Sequence, residues 1–151
     1  MSSLSNIVKR IRDIKRNDAG INGDAQRIEQ MAWMLFLKVY DAKEKDWEFD
    51  DEDYASIIPA ECRWSNWAVD DRSGNAMTGD NLLNFVNNTL FPTLKGLSVN
   101  KDTPIKKSIV KTTFEDANNY MKDGVLLRQV INVIDELEFD DYEESHAFGD
   151  I

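Results

Sequence analysis

One histidine, His146, and one cysteine, Cys62, are the side chains of this chain best suited to proton transfer or nucleophilic attack near neutral pH. His146 sits in an acidic terminal stretch, where a solvated or capping imidazole is the plain expectation. A base working beside a carboxylate pair is the catalytic alternative. Cys62 has no neighbouring histidine or basic cluster to lower its pKa, so a buried structural thiol is expected. A lone cysteine allows no internal disulfide and leaves a sulfur-ligated zinc site without its other ligands, which points to a reducing compartment. The carboxylates of Asp50 to Asp53 and Asp140 to Glu144 lack the spacing and the glycine of a calcium loop, so they read as solvated acidic faces. The seven glycines are scattered singly and cannot bring backbone amides together around a phosphate. No catalytic, cofactor-binding or metal-binding residue is therefore assigned.

Binding chemistry is better represented. Trp33, Trp47, Trp64 and Trp67 have faces on which bases could stack, but no basic stripe runs between them, so core packing is expected. Eighteen Lys and Arg against twenty-eight Asp and Glu give a net charge of −10, which disfavours a dedicated nucleic-acid binder and makes any DNA contact local. Two local patches oppose that total. Lys9, Arg10, Arg12, Lys15 and Arg16 are offset only by Asp13, leaving +4. Lys95, Lys101, Lys106, Lys107 and Lys111 against Asp102 leave another +4. Lys9, Arg12, Arg16, Lys106, Lys107 and Lys111 are the candidates for contact with DNA or a partner, the alternative being solvated helix faces.

Helices must carry these groups. A chain of 151 residues with 42% hydrophobic and 30% charged content suits one folded domain, residues 1–151. Leu4, Ile7, Val8, Ile11 and Ile14 repeat at helical spacing behind Ser2 and Ser3, which can cap a first turn. Asn17-Asp18-Ala19-Gly20 breaks this helix. A second starts near Asp24 with Ile28, Met31, Ala32, Leu35 and Val39 on one stripe. Trp33, Met34, Phe36 and Leu37 make it apolar nearly all round, which predicts a central helix surrounded by others. Asp41 to Asp53 holds eight acids and should lie at the surface. Residues 54–79 show no periodicity and predict a long irregular loop pinned by its aromatics.

Asp80 can cap a third helix through Leu82, Leu83, Phe85, Val86 and Leu90, which Pro92 limits or kinks. Thr103-Pro104 predicts a short helix through Ile105, Ile109 and Val110, with another turn or two between Phe114 and Tyr120. Asp123 caps a fourth strong helix bearing Leu126, Leu127, Val130, Ile131, Ile134 and Leu137. No segment alternates as a strand would. The expected fold is all-α: about four main helices plus short ones, with one long aromatic loop. Neither a signal core nor a bilayer-spanning run is visible, so the expected location is the cytoplasm, and the acceptor-like Asn87-Asn88-Thr89 is idle there.

The segment Asp24-Ala25-Gln26-Arg27-Ile28-Glu29-Gln30-Met31-Ala32-Trp33-Met34-Leu35-Phe36-Leu37-Lys38-Val39-Tyr40-Asp41 resembles the second helix of the amino-terminal domain of modification subunits of type I restriction-modification systems. The likeness continues through Ile58-Pro59, Arg63-Trp64, the run from Leu82 to Pro92, and Phe148-Gly149-Asp150-Ile151. This resemblance implies a subunit that moves a methyl group from S-adenosylmethionine to N6 of a flipped adenine. It further implies partnership with a specificity subunit, a second modification subunit and DNA. In that family the chemistry belongs to a glycine-rich motif and an Asn-Pro-Pro-aromatic motif of a methylase domain expected downstream. Neither motif occurs here, since Pro59, Pro92 and Pro104 follow Ile, Phe and Thr. The role implied for these residues is assembly and clamping of DNA. A stand-alone acidic interaction module or DNA mimic is the alternative.

Overall fold

The computed structural model describes residues 4–18, 20 and 23–137. The expectations for Ser2, Ser3, His146 and the acids beyond Leu137 fall outside the described residues. All regular structure in the described part is helical.

Helix α1, Leu4–Lys15, lies along the last helix, α7, Gly124–Asp135. Ile11 is its wholly buried anchor, and Arg10 pairs with Glu136 at 2.8 Å. The break after α1 is also a junction. Asp18 is buried, and its carboxylate accepts from the backbone amides of Gly20 at 2.7 Å, Lys122 at 3.0 Å and Asp123 at 2.8 Å. The side chain that ends one helix thereby holds the start of another. Asp123 caps α7 as expected, accepting from Val125 and Leu126.

Helix α2, Gly23–Asp50, has 28 residues and runs through the segment expected to be acidic surface. Asp41 and Glu44 are buried there because Arg63 comes within 3.8 Å of both carboxylates. The remaining acids up to Asp50 are exposed, so the helix continues while only two of its carboxylates need a buried partner. The expected loop is also more ordered than its pattern suggested. It contains a 3-10 turn, Ala60–Cys62, and a single-turn helix α3, Trp64–Trp67. Trp67 donates its indole N–H to the Cys62 carbonyl at 3.0 Å, and Trp64 donates to Asp135 at 2.8 Å. The buried Arg128 of α7 holds the return of this loop through the carbonyls of Ala68 and Met77.

Helix α4, Gly79–Phe85, a π-helical turn, Val86–Leu90, and helix α5, Phe91–Lys95, form one continuous run. Pro92 does not end it. The wide turn lies just before the proline, whose missing amide removes a helical hydrogen bond, and the helix ends only at Gly96. Thr78, not Asp80, occupies the N-cap, and Asp80 in the first turn complements the dipole instead. Gly124 meets Gly79 where α7 crosses α4: a Cβ on Gly124 would come 1.9 Å from the Gly79 carbonyl oxygen.

Helix α6, Ile105–Glu115, packs on α5. Its expected cap, Thr103, turns its hydroxyl back to Asn100. Residues 116–120 form no further turn of helix. The buried Gln30 of α2 holds that strap, donating to Asn119 and accepting from the Tyr120 amide, both at 2.7 Å. Trp33, Phe91 and Phe114 join α2, α5 and α6 through edge-on contacts of 5.0, 5.3 and 6.5 Å. Leu127, Val130, Ile131 and Ile134 of α7 are wholly buried.

Candidate functional site

The two basic patches are changed by folding. On α1, Lys9, Arg12 and Arg16 are exposed, and Arg16 lies 3.8 Å from Asp13. Lys15, part of the same charge cluster in sequence, is 1% exposed and donates to the Arg27 carbonyl at 2.6 Å. Burial, with the neighbouring Arg27 charge, brings its pKa down to about 7. It is not available to phosphate. Arg10 is committed to Glu136, so α1 presents Lys9 and Arg12, with Arg16 just past its end, where five cations were counted.

On α6, Lys106 lies over the Trp47 ring at 4.7 Å and Lys107 over Tyr54 at 5.0 Å. Lys111 donates to the Lys95 carbonyl at 2.9 Å. Lys106 and Lys107 therefore cover aromatic faces, and Lys111 does not.

Lys106 and Trp47 belong to an open groove that the periodicity did not reveal. The stripe of Ile28, Met31, Ala32, Leu35 and Val39, expected in the core, faces outward. Only Met31 is buried, and Ile28 is 52% exposed. α2 instead packs inward through Gln30, Trp33, Met34, Leu37, Tyr40 and Glu44. The outward stripe and Ile109 of α6 enclose a groove of about 610 Å³, with Lys43 and Lys106 as its charged lining. Its floor is a ladder of rings: Phe36 stacks on Tyr40 at 5.5 Å, and Tyr40 meets Trp47 at 5.6 Å. The Tyr40 hydroxyl donates to the Lys106 carbonyl at 2.7 Å and ties α2 to α6. Burial, with the charge of Glu44, pushes its pKa up to about 12. The signal in sequence was the helix apolar on every face, which serves two surfaces at once.

Beneath the Trp47 end of the groove, Arg63 gathers Asp41, Glu44 and Glu48. Burial alone would weaken its hold on the proton, but the bond to Glu48 and the surrounding carboxylates raise the pKa overall. Tyr54 donates to Glu44 at 2.7 Å, and burial together with this bond raises its pKa. These acids hold a loop against a helix. Cys62 is buried, and desolvation raises its thiol pKa, the direction that suppresses thiolate reactivity.

Among the described residues, the lining of this groove does not fit S-adenosylmethionine. Binding its charged groups calls for converging amides and a carboxylate, whereas the groove lining is apolar apart from Lys43, Lys106 and the Tyr40 hydroxyl. Gly20 and Gly124 are packed against the backbone of Tyr120 and Gly79, and no two of the described glycines combine into a cradle. No step of methyl transfer follows from this geometry.

Fold and groove together define an all-α packing domain built on one long central helix with an open apolar flank. The chain belongs to the family of HsdM N-terminal domains, whose model matches residues 4–134. It is 48% identical over 149 residues to the type I restriction enzyme EcoEI methylase subunit of Escherichia coli, covering 99% of this chain and 30% of that protein. Its fold is similar to the crystal structure of a modification subunit assigned to a type I restriction enzyme of Vibrio vulnificus. There the TM-score is 0.85 and the identity 31%, over 97% of this chain and 33% of that one. A chain in a structure describing complex assembly and conformational transition of the type I R-M system matches with a TM-score of 0.78 and 32% identity. That match covers 95% of this chain and 27% of the other. The chain thus spans about a third of the length of these relatives.

Proposed function

We propose that this chain is the assembly domain of a type I DNA adenine-N6 methyltransferase subunit. In this role it helps join the modification subunit to a specificity subunit and a second modification subunit, and closes around DNA in the cytoplasm. The supporting observation is the 48% identity to the EcoEI methylase subunit along 99% of the chain. Methyl transfer from S-adenosylmethionine is assigned to a methylase domain outside these residues, in keeping with a groove that lacks groups for the cofactor. Among the described residues no helix is long and apolar enough to cross a membrane.

Lys9, Arg12 and Arg16 are the residues proposed to meet DNA phosphate first, because they are exposed on α1 and the turn that follows it. Lys106, Lys107 and Lys111 form the second proposed contact, with a partner protein in place of phosphate, because each already has a ring or carbonyl partner. A graft tests the reading: this chain replaces the matched segment of the EcoEI methylase subunit. The hybrid should assemble with its specificity subunit and protect its sites by methylation, while deletion of the segment should lose both. A hybrid that folds but fails to join the complex would contradict the proposal.

A further inference from the structure

Single exposed apolar side chains are ordinary, but a continuous apolar strip on a soluble protein marks a binding surface. Ile28, Leu35 and Val39 of α2 and Ile109 of α6 form such a strip, closed at one end by Trp47. Ile109 is 43% exposed, and Ile105, one turn earlier on the same face, is 83% exposed. From Ile28 to Trp47 the groove runs about 29 Å at ~1.5 Å per residue, the length of one face of a helix of about five turns. A channel of that shape receives side chains at i, i+3, i+4 and i+7 of a docked helix.

Its charge is the opposite of the protein's. The chain carries −10 overall, yet the charged side chains lining the groove are Lys43 and Lys106. Lys106 and Lys107 stand in the first turn of α6, which holds no acid, so they add to the positive end of that helix instead of offsetting it. We infer that the groove binds an amphipathic helix of a different polypeptide, its apolar stripe in the strip and its carboxylates against Lys43, Lys106 and Lys107. A second copy of this chain is a poor occupant because its net charge opposes self-association. The inference rests on the groove alone and stands whether or not the methyltransferase role holds.

The test uses two labelled synthetic helices of about nineteen residues, both with a leucine stripe, one with glutamates clustered at one end and its twin with lysines there. Fluorescence anisotropy against the whole 151-residue protein should show saturable binding of the glutamate helix, with the lysine twin weaker by about tenfold or more. Ile28→Glu and Ile109→Glu, both at exposed positions and checked for native circular dichroism, should each abolish binding. Joint Lys43→Glu and Lys106→Glu substitution should reverse the preference between the twins. Absence of binding, equal binding of the twins, or binding indifferent to Ile28→Glu and Ile109→Glu would overturn the inference. So would sedimentation showing a dimer that Ile109→Glu dissolves, since the groove would then belong to a second copy.

Discussion

Asp18→Asn changes one atom of a buried carboxylate and should cost this fold more than most surface substitutions. The acid accepts from three backbone amides, at Gly20, Lys122 and Asp123, and so joins the end of α1 to the cap of α7. In asparagine one of those oxygens becomes a donor. With the amide nitrogen at Oδ2, the Asp123 amide loses its acceptor, a loss of about 1–3 kcal/mol for a buried group. The surviving bonds become neutral ones, each weaker by roughly 0.5–1 kcal/mol. If the side chain flips, the Gly20 amide is orphaned instead. The sum is about 3 kcal/mol, or about 6–12 °C in Tm for a domain of this size. Urea unfolding followed by circular dichroism measures it, with Asp18→Ala expected to be lower still because all three amides lose their acceptor. A loss below about 1 kcal/mol for Asn would refute the assignment of Asp18 as the junction.

Three further outcomes are expected. Lys15 holds its proton up to its ordinary 10.5 when unfolded but only to about 7 when folded. The unfolded chain therefore binds more protons between those values, and stability rises with pH across that window; Lys15→Met should flatten the rise in Tm between pH 7 and about 9.5. Above pH 10 the sign reverses, because the fold keeps the Tyr40 proton to about 12, and stability should fall in wild type and Lys15→Met alike. Arg63→Met leaves the buried Glu44 without a cation, while Asp41 keeps Lys45 at 3.3 Å, and should cost about 3 kcal/mol in chemical unfolding; a neutral result would show that Trp64, Trp67 and Arg128 hold the loop without it. In the assembled enzyme, replacing Lys9, Arg12 and Arg16 together by Glu should weaken DNA binding at every sequence and reduce the salt slope by roughly one unit per lost phosphate contact. An unchanged slope would remove α1 from the DNA surface.

Much of the helical layout was legible because long helices declare themselves by period. α1, α2, the run through Leu82 and Leu90, α6 and α7 all stand where apolar spacing placed them, and Asp123 caps α7 as its type and position suggested. The errors share a cause: partners distant in sequence overrode local pattern. Of the acids from Asp41 to Asp53 expected at the surface, only Asp41 and Glu44 are buried, because Arg63 arrives from the following loop. Asp18 looked like a helix breaker, and its three amides come from its own turn and from a strap 104 residues away. The candidate cations were visible by type, but which of them point outward was not. Lys15 turns inward within a run of similar residues, and Lys106 and Lys107 settle on rings contributed by α2 and the loop after it. The groove was hidden by the assumption that the most regular apolar stripe of a helix is the buried one. In α2 the stripe through Trp33 and Leu37 faces the core, and the more regular stripe is left open.

We propose a division of labour in which this domain packs and docks while the methyl donor is held by other polypeptide. Calorimetric titration of the 151-residue protein with S-adenosylmethionine addresses it most directly. No saturable heat is expected up to about millimolar cofactor, and a micromolar, one-to-one isotherm would contradict this division.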